Sequence, residues 1–194
     1  MSVSNILDQN GVILSQFLPT AVTAPPVYGS FYFYNTTGNQ TVAVGQGFNL
    51  PSTGSAVSPP AVSPSGAFVA GTPAETNLCT TTNSYYYTVA QPGVYSVSFT
   101  ATVTPNSSTA STTNIVSIAV GSSLTTFQEL EYTKTYVTLP PTTTSVGSFP
   151  LAATYIVTIS APNTLIELIQ STDPFSSKAP ITVIDASLTL VKVA

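Results

Sequence analysis

The sequence predicts an all-β protein: a single jelly-roll sandwich of two antiparallel sheets with an extended N-terminal arm. Three observations support this prediction. Apolar and hydroxyl-bearing residues alternate along several stretches, most regularly from Tyr95 to Val103, and this is the period of a half-buried strand. Turn signals rich in Pro, Gly, Ser and Asn separate about eight to ten short segments at even spacing. No stretch shows the period of an amphipathic helix.

The stretch from Tyr85 to Val103 is predicted to contain two strands joined by a turn, around which the other strands are organised. Pro92 presets φ and Gly93 can adopt a positive φ, so we expect the chain to reverse here. In the second strand one face is apolar, while the serine and threonine hydroxyls lie on the other. The apolar side chains are Tyr95, Val97, Phe99, Ala101 and Val103.

Residues 1 to 29 are predicted to form the arm, and residues 30 to 194 the jelly-roll domain. The arm carries two apolar groups on either side of an Asp8-Gln9-Asn10-Gly11 turn signal, and it is too small to bury them itself. Its candidate docking side chains are Ile6, Leu7, Val12, Ile13, Leu14, Phe17 and Leu18. The arm either docks on another subunit or protein, or folds back on its own domain.

The first half of the domain begins with an aromatic strand at Phe31 to Tyr34. Residues 51 to 66 are rich in Pro, Ser and Gly and are predicted to form a loop without a regular ladder. A short strand is expected at Ala67 to Val69. Residues 71 to 83 carry loop signals, and a polar loop follows Val103 at residues 104 to 112.

The second half is predicted to contain further strands with the same alternation. Asn114 to Gly121 places Val116, Ile118 and Val120 on one face. In residues 124 to 139 the apolar phase breaks near Leu130, so a bulge or turn is expected there. Leu151 to Ser160 turns at Ala161-Pro162-Asn163 into Leu165 to Gln170. The last strand, Ile181 to Val193, is expected to point Ile184, Ala186, Leu188 and Leu190 inward.

The charge content is low and indicates assembly. Only 5% of the residues are charged and the net charge is −4, against about 25% charged residues in typical domains. With three cations in the whole chain, nucleic acid is not expected as a partner. A surface poor in charge resembles an interface more than the surface of a monomer. The alternative is a monomer that hydroxyl and amide groups keep soluble.

The residue types argue against catalysis. The chain has no His and no Arg, and Cys79 is its single cysteine, so the usual acid–base, nucleophilic and metal constellations cannot be built. We expect no enzyme activity and no cofactor. Glu129 and Glu131 either bind a hard cation together with backbone carbonyls or are simply solvated, and Lys134 could pair with one of them. We expect neither a secretory signal nor a membrane span.

Three stretches resemble the TNF-like and complement-head (C1q-like) family of trimeric jelly rolls. The first is Tyr87-Thr88-Val89 followed by the Pro92-Gly93 turn and its Tyr-bearing strand. The second is the strand pair Tyr155 to Ser160 and Leu165 to Gln170, and the third is the terminal strand, Ile184 to Val193. The resemblance implies two sheets of four to five strands and a homotrimer packed through aromatic residues of the inner sheet. On that mapping, the residues near the threefold axis or in the core behind it are Phe31, Phe33, Tyr85, Tyr87 and Tyr155.

Similar domains occur in structural proteins of large viruses and in spore-surface proteins. We therefore predict a structural protein of a virion shell, as a minor capsid or surface component, that forms a homotrimer and is anchored to neighbouring structural proteins by its arm. The alternative is a trimeric head, displayed on an extracellular or spore surface, that binds a receptor or a carbohydrate.

Overall fold

A computed structural model describes residues 26–34, 38–50, 62–71, 85–104, 110–123, 126–141, 147–177 and 179–194. These residues form twelve strands and one 3-10 turn. The strands are β1 (Tyr28–Tyr34), β2 (Gln40–Val42), β3 (Val62–Ser63), β4 (Phe68–Ala70), β5 (Tyr87–Val89), β6 (Gly93–Thr104), β7 (Thr112–Gly121), β8 (Gln128–Glu129), β9 (Thr135–Leu139), β10 (Phe149–Ile159), β11 (Thr164–Gln170) and β12 (Ile181–Lys192), and the 3-10 turn is Glu131–Thr133.

The strands form two antiparallel sheets that pack face to face. Sheet I has the order β10-β6-β12-β1-β3, with β2 also pairing with β12, and sheet II has the order β4-β5-β11-β7-β8, with β9 also pairing with β7. The predicted all-β jelly-roll sandwich is confirmed. β1 begins at Tyr28, two residues before the predicted start of the domain.

The centre of sheet I follows the predicted alternation. The five inward side chains of β6 from Tyr95 to Val103 are all essentially inaccessible to solvent. In β12, Ala186, Leu188 and Leu190 point inward as predicted, but Ile184 does not reach the core. A β-bulge between Val183 and Asp185 shifts the register, so the inward phase changes and Val183 takes the buried position.

The Pro92-Gly93 turn connects the two sheets. β5 pairs with β4 and β11 in sheet II, whereas β6 pairs with β10 and β12 in sheet I. The expected reversal is therefore a crossing from one sheet to the other, not a hairpin. Gly93 has φ 153°, and a Cβ there would lie 2.6 Å from the carbonyl oxygen of Ala194. Glycine is required because the Ala194 backbone approaches the turn closely.

β7 and β11 are buried on both faces, which one-face alternation does not predict. Val116 and Ile118 pack in the core between the sheets, as expected. The outer face of sheet II carries a second apolar cluster of Ala119, Phe127 and Ile169. The bulge or turn predicted near Leu130 is the 3-10 turn at Glu131–Thr133, which begins directly after Leu130.

Aromatic rings link the two sheets in the core. Phe31 of sheet I stacks on Tyr87 of sheet II with ring centroids 3.9 Å apart. Phe68 meets both Phe31 and Tyr95 edge-on, at 6.4 and 5.9 Å, which is a favoured geometry for aromatic pairs. The Tyr87 hydroxyl donates to the carbonyl of Leu50, and burial raises its pKa well above the ordinary value.

The two ends of the sandwich differ. Strand registers place Pro26, at the start of the described chain, and the C-terminal Ala194 at one end, called the base, where Lys192 N donates to Val27 O and Val94 N to Ala194 O. The strand ends that flank the connections β1–β2, β4–β5, β6–β7, β9–β10 and β11–β12 all lie at the opposite end, called the distal end. A segment that precedes β1 therefore enters at the base.

Candidate assembly surface

The Phe-Tyr-Phe-Tyr run of β1 divides its rings between the two faces of sheet I. Phe31 is buried, and Phe33 is half-buried against the core. Because alternate residues point to opposite faces, Tyr32 and Tyr34 lie on the outer face, where Tyr34 is 57% exposed. The outer face thus has a tyrosine border along β1.

Serine and threonine side chains cover most of the rest of this outer face, and their hydroxyl groups form hydrogen bonds within it. Ser98 and Thr154 hydrogen-bond at 2.9 Å, Thr100 and Ser187 at 2.7 Å, and Ser30 and Thr189 at 3.1 Å. The Thr102 hydroxyl donates to Asp185 at 3.0 Å. The described side chains of the face are Tyr28, Ser30, Tyr32, Tyr34, Asp185, Ser187, Thr189, Val191, Ser96, Ser98, Thr100, Thr102, Pro150, Ala152, Thr154 and Ile156.

Two properties of this set, which we call the hydroxyl face, suit it to burial. Asp185 is its only side chain charged at neutral pH. Most of its serine and threonine hydroxyls form hydrogen bonds between neighbouring strands of the same sheet. A protein surface that covers the face would therefore leave few donors or acceptors without a hydrogen-bond partner. A dehydrated hydroxyl costs free energy mainly when it loses its partner, and these partners belong to the same chain.

A shallow cleft, widely open to solvent, lies in the hydroxyl face near the distal end. It has a volume of about 370 Å³, and its outward side chains are Tyr32, Tyr34, Thr100, Asp185 and Ser187. The two tyrosines supply aromatic walls and Asp185 an acceptor. We call it the tyrosine cleft.

The edge where β9 meets β10 is the second candidate surface. Tyr155 extends from β10 towards this edge, and its hydroxyl hydrogen-bonds Thr135 Oγ1 of β9 at 2.7 Å. Tyr132 packs edge-on against the Tyr155 ring at 6.5 Å and is 58% exposed. Tyr136 of β9 and Ile156 of β10 are 61% and 58% exposed. This edge is rich in apolar surface.

The five residues predicted for the threefold axis or the core do not share one sheet. The structure places Phe31 and Tyr87 inside the subunit, stacked on each other. Phe33 and Tyr155 are half-buried on strands of sheet I, and Tyr85 is half-buried just before β5. Their role in a trimer interface stays a prediction. The outward tyrosines of β1 were missed, although a phenol favours a partly wet position more than a phenyl ring does.

Lys134 and three carboxylates form a polar cluster over sheet II. Lys134 Nζ lies 2.6 Å from Glu131 Oε2 and 2.6 Å from Asp173 Oδ2. These hydrogen bonds, first that to Asp173, raise the pKa of Lys134 well above its ordinary value. Glu129 makes no ion pair with Lys134. Its Oε1 accepts a hydrogen bond of 2.8 Å from Ser117 Oγ, and it also accepts one from Ser171 Oγ. No group of residues in the described ranges is arranged to hold a metal ion.

This cluster fixes the loop that follows β11, residues 171 to 177. Thr172 N donates to Glu129 Oε2 at 3.2 Å, and Asp173 N to Ser171 Oγ at 3.0 Å. Asp173 Oδ1 accepts from Phe175 N at 2.8 Å. Ser176 Oγ accepts from Ile115 N of β7 at 3.3 Å. The loop is bonded to sheet II along its length, and Phe175 projects from it with 84% of its surface exposed.

The candidate docking side chains of the arm lie outside the described residues, and so does Cys79. Within the described ranges, no helix is long and apolar enough to cross a membrane.

No family model and no curated protein matches the sequence. Among solved structures, the chain is similar to the Eiger TNF from S. frugiperda, with 13% identity and a TM-score of 0.53 over 88% of this chain and 94% of that one. It is also similar to the globular domain of the zebrafish complement 1qA protein, with 12% identity and a TM-score of 0.42 over 88% and 98% of the two chains. A third match is a chain of the T13 viral particle of IBDV, with 9% identity and a TM-score of 0.32 over 90% of this chain and 52% of that one.

The likeness to Eiger TNF shows the fold: a TNF-like jelly roll, as the three sequence stretches predicted.

Proposed function

We propose that this chain is a non-enzymatic structural subunit of a virion shell that assembles as a homotrimer. The observation that carries the proposal is the hydroxyl face, a broad sheet surface with one charged side chain and hydroxyls bonded within the sheet. Apart from the Asp185 carboxylate, which needs a hydrogen-bond donor when it is covered, such a face can be covered by protein at little desolvation cost. A chain without His or Arg is suited to binding copies of itself more than to catalysis.

A threefold ring needs two different patches on each copy, since head-to-tail contacts join unlike surfaces. The hydroxyl face and the β9–β10 edge supply such a pair. Two exposed apolar side chains of the edge, Tyr132 and Tyr136, would contact the face of the next copy. Aromatic residues in such positions are typical of interface centres.

The arm completes the proposal. A segment preceding β1 enters the domain at the base. An arm that binds a neighbouring structural protein would therefore place the base next to that protein and the distal end away from it. The same geometry favours a second candidate function, a surface-displayed head that binds a receptor or carbohydrate through its distal loops, because the strand ends that flank five connections lie at that end.

The trimer is tested by light scattering during size-exclusion chromatography of the wild type and of Ser98→Glu. The wild type is expected to have three times the mass of one chain. A carboxylate at the centre of the hydroxyl face would be buried without a partner at a cost of several kcal/mol, so Ser98→Glu is expected to be monomeric. Val69→Glu is the control, because Val69 is 53% exposed on β4 of the other sheet. A monomeric wild type, or a Ser98→Glu trimer, would contradict the proposal.

The second candidate is tested on a glycan array. Replacement of residues 105–109 or 142–146 by Gly-Ser repeats should abolish any binding seen with the wild type, whereas the same replacement in the base turn at residues 160–163 should not.

A further inference from the structure

The most exposed large apolar side chain in the described part of the molecule is Phe175, at 84%. A single exposed ring can be incidental when its loop is loose. This loop is instead held by a dense set of bonds, from Lys134 to Asp173, from Thr172 to Glu129 and from Ile115 to Ser176. A ring presented by an ordered loop loses little conformational freedom when it binds.

The polar groups of the loop are directed inward. The Ser171 and Thr172 hydroxyls donate to Glu129, both carboxylate oxygens of Asp173 accept bonds from this chain, and Ser176 Oγ accepts from β7. A sugar or another hydrogen-bonding ligand would therefore meet side chains that already have partners. What the loop offers outward is the Phe175 ring beside the exposed Pro174, which suits an apolar pocket.

A shallow cleft that combines two aromatic rings with polar side chains exists on the same chain. The tyrosine cleft has aromatic walls at Tyr32 and Tyr34 and a volume of about 370 Å³, and phenyl rings pack well against phenol rings. A copy cannot fill its own cleft, because the cleft opens on the outer face of sheet I whereas the loop is bonded to β7 of sheet II. A Phe175 ring that fills the cleft therefore has to come from a second copy.

Phe175 and the tyrosine cleft lie at the same level along the strand direction, as a contact in a closed trimer requires. Phe175 lies in the β11–β12 connection, and the cleft lies where Tyr34 pairs with Asp185, so both are at the distal end. A threefold rotation about an axis that runs along the strands does not change the level of a residue along that axis. The Phe175 side chain of one copy can therefore meet the cleft of the next copy in a closed trimer. We propose that Phe175 of each copy inserts into the tyrosine cleft of the next. This inference rests on the proposed trimer and names the side chain that completes the cleft.

Disulfide cross-linking tests the contact. In a Cys79→Ser background, which removes the only native cysteine, copies with Phe175→Cys are mixed under reducing, trimer-exchanging conditions with copies with Tyr34→Cys and then oxidised. A covalent dimer is expected in the mixture and not in either variant alone. The chain carrying both substitutions should run as a covalent trimer on a non-reducing gel. The matched control pairs Phe175→Cys with Val69→Cys on sheet II and should give no cross-link.

The outcomes separate the inference from the proposal on which it rests. A trimer by light scattering without the cross-link would overturn the Phe175 contact and leave the trimer standing. A cross-link from Tyr136→Cys to Tyr34→Cys in its place would show that the β9–β10 edge fills the cleft, and would also overturn it. A monomeric wild type would overturn both.

A second measurement does not depend on cysteine chemistry. Phe175→Ala is expected to raise the dissociation constant of the trimer about tenfold or more, and Phe175→Leu should recover part of the loss. Because the side chain is exposed in the subunit, the far-UV circular dichroism of each variant should be unchanged. An unchanged dissociation constant for Phe175→Ala would contradict the inference.

Discussion

Replacement of Lys134 by Met is expected to loosen the loop after β11 and to destabilise the subunit. The substitution keeps the aliphatic stem and removes the ammonium group that joins Glu131 and Asp173. The Glu131 side chain is 80% exposed, so its bond with Lys134 is worth about 0–1 kcal/mol. The Asp173 and Lys134 side chains are only 11% and 8% exposed, so the loss of this pair dominates.

The magnitude lies between two limits. Removing one partner of a fully buried ion pair costs about 3–5 kcal/mol, and removing one partner of an exposed pair costs less than about 1 kcal/mol. The cluster lies on the outer side of sheet II with one carboxylate in water, so we expect Lys134→Met to lower the free energy of unfolding by about 1–3 kcal/mol. In urea, where small proteins have m-values of about 1–3 kcal/mol per molar, the midpoint should fall by about 1 M.

The assay is equilibrium urea unfolding of monomeric Ser98→Glu protein with and without the substitution, so that trimer dissociation does not contribute. Lys192→Met makes the same chemical change at the base and is expected to shift the midpoint little. Glu131→Gln should also have a small effect. Equal midpoints for Lys134→Met and Lys192→Met would refute the reasoning that the Asp173 pair holds the loop.

Two further predictions concern the core and the sheet crossing. Stability should fall above about pH 10, because burial raises the pKa of Tyr87 and Tyr95 in the folded state, whereas in the unfolded chain these tyrosines ionise near that pH. The free energy of unfolding should fall by at most about 1.4 kcal/mol per pH unit for each tyrosine. Urea midpoints measured across this range should decline less steeply in Tyr87→Phe. Gly93→Ala should lower the melting temperature, because the new Cβ would lie 2.6 Å from Ala194 O at a φ of 153°, at a cost of about 1–3 kcal/mol. Gly38→Ala is also at positive φ, but no atom of the described residues lies within 4 Å of the added Cβ, so it should cost less. Equal losses would show that the close approach does not matter.

The strands with a strict two-residue period were predictable, and their pairing was not. The alternation in β6 fixes which side chains point inward whatever the neighbouring strands are. The Pro92-Gly93 signal marks a change of direction but carries no information about the sheet that receives the next strand. That choice depends on β10 and β12, more than 50 residues further along the chain. The bulge at Ile184 was hidden for the same reason, since it appears only when β12 is aligned with β6.

The candidate site shows a similar division. Charge content and residue types predicted a protein that assembles. Hydrophobicity alone could not show which side chains from Phe31 to Tyr34 point inward, because phenylalanine and tyrosine are both apolar enough for a core. The buried ion-pair partner of Lys134, Asp173, could not be predicted from the sequence either. The local neighbours of Lys134, Glu129 and Glu131, were visible in the sequence, whereas Asp173 is 39 residues away and meets Lys134 only across the loop that follows β11.

The distribution of charge over the two sheets supports assembly through sheet I. The described cluster of Lys134, Glu129, Glu131 and Asp173 lies entirely on the side of sheet II, while the hydroxyl face of sheet I has Asp185 alone. If the low charge only reflected a soluble monomer rich in Ser and Thr, both outer faces would be expected to share the few charges. Charges on one face and internally bonded hydroxyls on the other are the arrangement expected when one face meets water and the other meets protein.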